Sequence, residues 1–123
     1  MGPPVSAVTV RVPAKVNLVL AVGPLRADGY HEVATLYQAV SLHDEVEARA
    51  EPGLSVSIEG DRADEVPLDT ENLAVQAAQS LAAYAGVPAD VHLTVRKEIP
   101  VAGGLAGGSA DAAAALVACD ALW

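Results

Sequence analysis

Val16, Leu18, Leu20 and Val22 recur at every second position between Lys15 and Val22, a spacing that predicts a half-buried strand. Thr9 to Arg11 reads as an earlier strand start. Because side chains two apart share a face, Lys15 and Asn17 should project together from the side opposite those aliphatics. Gly23 to Tyr30 is rich in turn formers, with Asp28-Gly29 marking a tight turn. Leu36 to Leu42, Glu45 to Ala50 and Leu54 to Ile58 read as further strands, separated by His43-Asp44 and by Pro52-Gly53.

The acidic, irregular segment Gly60 to Asp69 gives way to a helix with Asp69 or Thr70 as its cap. Its apolar stripe is Leu73, Ala74, Ala77, Ala78, Leu81, Ala82 and Ala85, and Gly86 with Pro88 stops it. Val91, Leu93 and Val95 alternate in another strand. Lys97 to Gly108 is then a glycine-rich loop and Ser109 to Leu122 an alanine-rich helix.

The chain has 123 residues, room for one domain of ordinary size. With 52% hydrophobic residues and no Phe, the expected core is aliphatic. Seven basic against sixteen acidic side chains give a net charge of -9, which repels a polyanion and argues against nucleic-acid binding. Cys119, the one cysteine, has no partner for an internal disulfide, and no paired metal-ligand spacing is present, so no metal site is expected. The longest apolar run, Ala112 to Cys119, falls far short of the ~20 residues of a membrane span. Arg11 and Lys15 interrupt any secretory signal, and the two prolines after Gly2 discount the loose myristoylation pattern. A cytoplasmic protein without membrane contact is expected.

Chemistry concentrates in the glycine-rich loop. Glycines let a backbone turn its N–H groups toward a ligand, and the following helix N-terminus adds partial positive charge, so phosphate is the expected guest. The loop is neither a Walker motif nor a GxGxxG fingerprint. Four glycines before a helix also serve close helix–strand packing, and the spacing alone leaves both readings open. His43 and His92 read as turn and polar-face residues, Cys119 as a small core residue, the acidic cluster of Asp61, Asp64, Glu65 and Asp69 as a solvated loop, and Asp111 as a helix cap.

The stretch Pro100 to Ala113, PVAGGLAGGSADAA, resembles the phosphate-binding motif of the GHMP kinases, the superfamily of galactokinase, homoserine kinase and mevalonate kinase. Pro13-Ala14-Lys15-Val16-Asn17-Leu18, Arg26 to Glu32 and Thr70-Glu71-Asn72-Leu73 resemble the branch of that superfamily in the non-mevalonate isoprenoid pathway. The resemblance implies an α/β (α+β) two-layer fold, a mixed sheet with helices on one face, like the ribosomal protein S5 domain 2-like N-terminal domain of these kinases. It implies ATP with Mg²⁺ as cofactors and a cytidine diphosphate methylerythritol as substrate, phosphorylated at its 2-hydroxyl. By the same resemblance Lys15 lies at the junction of acceptor hydroxyl and transferred phosphate and is the catalytic residue of this chain. Asn17 contacts the methylerythritol, and Tyr30 with His31 holds the cytosine. Asn72, Leu73 and Lys97 surround the adenine, while Pro100, Val101, Ala102, Gly103, Gly104, Leu105, Ala106, Gly107, Gly108, Ser109 and Ala110 wrap the phosphates.

One feature of the sequence adds to this and another departs from the family pattern. The chain uses five arginines and two lysines, and both lysines fall inside the motifs, where a compact ammonium suits a phosphate oxygen. Ala102 and Ala106 replace glycines common in the resembled loop, which the loop tolerates if neither position needs positive φ. In the resembled kinases a catalytic aspartate and a second domain follow the helix that begins at Ser109. The 123 residues are therefore expected to be an N-terminal domain, incomplete and inactive alone, with self-association of its uncovered face. A non-catalytic nucleotide-binding or interaction module and another small-molecule GHMP kinase are the alternatives.

Overall fold

A computed structural model describes residues 6–61, 63–69, 71–100 and 107–123. Four strands, β1 (Ala7–Leu25), β2 (His31–Arg49), β3 (Leu54–Glu59) and β4 (Val91–Arg96), form a sheet in the order β1-β2-β4-β3. The β1/β2 and β2/β4 pairs are antiparallel and β3/β4 is parallel, so the sheet is mixed. Helices α1 (Leu73–Ala85) and α2 (Gly107–Leu122) cover one face. This is the expected two-layer arrangement.

The core is aliphatic and fine-grained. Val46, Ala48, Val91, Leu93 and Val95 of the sheet meet Ala74, Ala78, Ala114, Ala115, Ala118 and Cys119 of the helices. Small helical side chains let α1 and α2 approach the sheet closely, and Val8, Val10 and Val12 of β1 close the side. Cys119 is fully buried, which pushes its thiol up to about 11 and leaves it a core residue.

The strands are longer than their alternation suggested. β1 runs unbroken through the stretch read as two pieces, and β2 runs through His43-Asp44, which is strand and not turn. A register shift explains the misreading of the first apolar face. Asn17 pairs with Tyr37 but Val19 pairs with Leu36, so β1 carries one extra residue at Leu18. Such a bulge flips the parity of everything beyond it. Leu20 and Val22, paired with Thr35 and Val33, therefore join the side of Lys15 and Asn17 and do not share a face with Val16. Leu18, Leu20 and Val22 are 58%, 57% and 61% exposed, not half-buried.

Helix α1 is capped by Asn72, whose side chain accepts from Ala74 and Val75 N–H at 2.9 and 3.4 Å. Asp69 acts one turn earlier, taking the Glu71 amide at 2.9 Å, and Thr70 lies outside the described residues. Val75 takes a buried place on the helix, whereas Ala85 is exposed. Gly86, left-handed at φ 70°, ends the helix as read. Helix α2 already includes Gly107, so Asp111 stands in its second turn and is no cap. At the hairpin end, Gly29 with φ 87° and a bond from its N–H to Arg26 O at 3.1 Å makes the tight turn anticipated at Asp28-Gly29.

Candidate active site

Alternation carries three charged residues into the core. Asp44 precedes Val46 and Ala48 on the inward face of β2, Lys97 follows Val91, Leu93 and Val95 beyond β4, and Asp111 precedes Ala114, Ala115 and Ala118 on the buried stripe of α2. They meet. Lys97 Nζ donates to Asp44 Oδ2 at 2.6 Å and to Asp111 Oδ2 at 2.9 Å. Asp44 Oδ1 takes the backbone N–H groups of Glu98 and Ile99 at 2.7 and 2.8 Å. A buried ammonium is tolerable only with such partners.

The two carboxyls are held differently. Burial pushes Asp44 toward its neutral form, but neighbouring Asp111, which is the member of the pair that keeps a proton more readily, together with the two amides and Lys97 outweighs it and holds the group below the usual range. Asp111 has no such amides. Burial, together with neighbouring Asp44, pushes it up to about 7 against the pull of Lys97. Its Oδ1 is buried without a hydrogen-bond partner among the described residues. For Lys97 burial opposes the charge, and the two carboxylates reverse that and raise its pKa.

A cleft of about 230 Å³ opens beside this cluster, with Pro67, Asn72, Leu73, Lys97, Gly108 and Asp111 in its wall. Among the described residues it is smaller than a complete small-molecule site, which runs to roughly 300–1,000 Å³. Asn72, Leu73 and Lys97, expected to share a site, are thus brought together. The Lys97 ammonium is engaged inward, so what it offers the cleft is its stem and backbone. Gly107 and Gly108 also have a packing reason. A Cβ on Gly107 would stand 3.0 Å from Ile99 Cγ2 and 3.2 Å from Lys97 Nζ, and one on Gly108 would stand 3.1 Å from Leu73 Cδ1. Pro100 is half-buried, Ser109 is exposed and Ala110 half-buried at the start of α2, and Val101, Ala102, Gly103, Gly104, Leu105 and Ala106 lie outside the described residues.

Lys15 and Asn17 share a face as the pleat requires. Lys15 Nζ donates to Asn17 Oδ1 at 2.6 Å and sits 5.4 Å from the ring centre of Tyr37, while Asn17 Nδ2 donates to Thr35 Oγ1 at 2.8 Å. Thr35 in turn donates to Val19 O at 2.8 Å. Thr35 and Tyr37 were not singled out in the sequence; their places opposite Leu20 and Asn17 follow from the register.

Tyr30 and His31 sit at the far end of the hairpin. Tyr30 is 71% exposed, and His31 Nδ1 lies 2.7 Å from Gly23 O. A carbonyl only accepts, so Nδ1 carries a proton and donates it to Gly23 O. Arg26 grips Asp28 at 3.3 and 2.6 Å, and with the Tyr30 amide it holds that carboxyl below its ordinary range. No described contact joins this pair to Lys15 and Asn17. Ala39, the partner of Lys15, is eight positions from His31 along β2 (39 − 31), at most roughly 26 Å of strand.

His43 faces outward from β2 and bonds Ser41 O at 3.1 Å, and His92 stands between the hydroxyls of Ser55 and Ser57 at 2.6 and 3.0 Å. No group of three or more His, Cys, Asp or Glu able to hold a metal occurs among the described residues. Nor is any described helix long and apolar enough to cross a membrane.

Residues 72–123 match the family model described as the GHMP kinases N terminal domain. The chain is 64% identical over 114 residues to 4-diphosphocytidyl-2-C-methyl-D-erythritol kinase of Salinispora arenicola, covering 93% of this chain and 36% of that one. It is 62% identical over 117 residues to the kinase of the same name from Streptomyces coelicolor, covering 94% and 39%. Among solved structures, a 4-(cytidine 5'-diphospho)-2C-methyl-D-erythritol kinase superposes with TM-score 0.77 at 41% identity, covering 94% of this chain and 41% of that chain. Homoserine kinase of Cytophaga hutchinsonii superposes equally well, at TM-score 0.77, but at 20% identity, and shares the fold alone; this chain is covered to 99% and that chain to 37%. The chain spans 36% to 42% of the length of the relatives it matches.

Proposed function

We propose that this chain is the N-terminal part of a GHMP kinase and serves the ATP-dependent phosphorylation of the 2-hydroxyl of 4-diphosphocytidyl-2-C-methyl-D-erythritol. The observation that supports it most is the identity of 58–64% to kinases of that name over nearly the whole chain. On this reading residues 1–123 contribute the N-terminal domain, and a further domain supplies the proton acceptor and closes the cleft. The setting is the cytoplasm, where ATP is available and Cys119 stays reduced.

Each residue then has a task. The adenine enters the cleft between Asn72, Leu73 and the Lys97 backbone. The glycine-rich segment from Pro100 to Ala110 would receive the phosphates, helped by the positive end of α2. Magnesium, bound together with the nucleotide, would neutralise phosphate charge, and no described residue is assigned to hold it. Lys15 faces the transferred phosphoryl group, where a fixed ammonium stabilises charge without reorganisation. Asn17, tied to Lys15 and Thr35, orients the acceptor, and Tyr37 keeps the ammonium in place. At the hairpin end the exposed Tyr30 ring stacks on cytosine while His31 Nε2 accepts from its amino group. The separation of the two pairs suits a long substrate.

Leu20, Val22, Val33 and Leu36 stay exposed on the hairpin, and the isolated chain is expected to self-associate through them. The reading is tested by assaying a protein extended to the relatives' length with ATP, Mg²⁺ and the cytidine substrate beside homoserine and mevalonate. Turnover confined to the cytidine substrate is expected. Preference for either other alcohol would move the chain to another branch of the superfamily, and nucleotide binding without turnover on any of the three would favour a non-catalytic module.

A further inference from the structure

We propose that Thr35 is a positioning residue for the phosphoryl transfer, acting through Asn17 to hold Lys15 in place, an inference that rests on the kinase reading above. Lys15, Asn17, Thr35 and the Val19 carbonyl form a relay on the β1/β2 hairpin. Lys15 Nζ donates to Asn17 Oδ1 at 2.6 Å, Asn17 Nδ2 to Thr35 Oγ1 at 2.8 Å, and Thr35 Oγ1 to Val19 O at 2.8 Å. Both ends have fixed roles, since an ammonium only donates and a carbonyl only accepts. The carboxamide and the hydroxyl between them can each do both, so the chain runs in one direction only. Asn17 must turn its oxygen to Lys15 and its nitrogen to Thr35.

The relay is a product of the bulge. In an unbroken ladder continuing from Asn17 and Tyr37, Thr35 would stand opposite Val19. The extra residue at Leu18 sets it opposite Leu20, and its hydroxyl there reaches the Val19 carbonyl and Asn17 together. Of the four groups only the carbonyl belongs to the backbone. Lys15 and Asn17, half-buried and exposed, would otherwise spread over several rotamers. Thr35 is half-buried and β-branched, hence stiff at χ1, so its hydroxyl passes the rigidity of the strand to the ammonium. Its one proton is spent on Val19 O, which leaves Thr35 no part in proton transfer. The second N–H of Asn17 Nδ2 is the donor that Asn17 can offer to a hydroxyl oxygen of the acceptor.

The test is steady-state kinetics of a protein extended to the relatives' length, with ATP, Mg²⁺ and the cytidine substrate. Thr35→Val keeps the shape of the side chain and removes the hydroxyl. It should lower kcat by about tenfold, part of the ~10²–10³-fold expected for losing the ammonium itself, and leave KM for ATP unchanged. Thr35→Ser keeps the hydroxyl and should stay within about threefold of wild type, its looser χ1 accounting for the remainder. In an Asn17→Ala background, Thr35→Val should lower kcat no further, because a residue that acts through Asn17 has nothing left to act on. Wild-type kcat in Thr35→Val, an added loss in the Asn17→Ala background, or Thr35→Ser as slow as Thr35→Val would overturn the positioning role while leaving the kinase reading intact. So would a kcat loss that only follows the folded fraction, measured by urea denaturation of the same proteins. No turnover of the cytidine substrate by the folded wild type would instead overturn the kinase reading, and this inference with it.

Discussion

Replacing Asp111 by Asn should stabilise the protein in alkaline solution and do little in acid. The wild-type carboxyl is buried against Asp44 and its pKa is raised from 3.8 to about 7. A carboxyl so raised gives stability that is whole below pH 3.8, declines as the pH climbs, and is gone above about 7. Three pH units at about 1.4 kcal/mol each set a ceiling of about 4 kcal/mol on that loss. Asn keeps the shape of the protonated acid. Its carbonyl accepts from Lys97 as Asp111 Oδ2 does at 2.9 Å, and its amide occupies the position of the partnerless Oδ1. Urea denaturation followed by far-ultraviolet circular dichroism at pH 3.5 and pH 8.5 measures the effect. At pH 3.5 the two proteins should agree within about 0.5 kcal/mol, and at pH 8.5 the variant should be more stable by about 1–3 kcal/mol, relaxation taking part of the ceiling. A variant less stable than wild type at pH 8.5, with an unchanged denaturant slope, would refute the reasoning, because the ionised carboxylate would then be the favoured form.

Asp44→Leu, which leaves Lys97 with one partner and two amides with none, should lose about 3–5 kcal/mol by the same denaturation, and adding Lys97→Met should restore part of it. Asn72→Ala should lose about 1 kcal/mol through its cap, with ATP affinity measured by calorimetry falling further if the side chain also meets the adenine. In a protein of the relatives' length, Lys15→Ala should lower kcat by ~10²–10³-fold, as for removal of one preorganised electrostatic group. Tyr30→Ala there should raise KM for the cytidine substrate and leave KM for ATP unchanged, since a stacked base is worth about 1–3 kcal/mol.

The element order and the helices were legible because alternation and turn signals are local, whereas the mixed sheet was expected only from the family resemblance. What escaped was set by pairing. The bulge at Leu18 depends on how Asn17 and Val19 align with Tyr37 and Leu36, and no window within β1 contains that information. Asp44 escaped for a different reason, since His43-Asp44 resembles a turn by composition although it continues the inward period of Val46 and Ala48. The signal was there. Extending each period by one step places Asp44, Lys97 and Asp111 on three buried faces, and charges on buried faces must find one another. Lys15 with Asn17 was readable from the pleat alone, whereas Thr35 and Tyr37 needed the cross-strand register.

That register also joins the proposed catalytic residue to the proposed phosphate loop. Asp44 pairs with Val12, and Lys15 lies three residues further along β1, roughly 10 Å of strand. Between them Pro13 pairs with His43 and Lys15 with Ala39, so four steps of β2 face two of β1 and the strand bulges. An irregular ladder of this kind has weakly specified alternatives, because slipping it sacrifices few regular bonds. β2 has a second, regular ladder on β4, and a slip of one residue there would turn Asp44 away from Lys97 and put His43 or Glu45 on the core face in its place. The ammonium, with its side chain 2% exposed, would keep Asp111 alone, and the Glu98 and Ile99 amides would be orphaned. A hydrophobic pair at 44 and 97 would pack in either register with far less penalty. The ionic cluster therefore specifies one alignment of β2 on β4 and α2, and β2 in turn carries the β1 segment that bears Lys15.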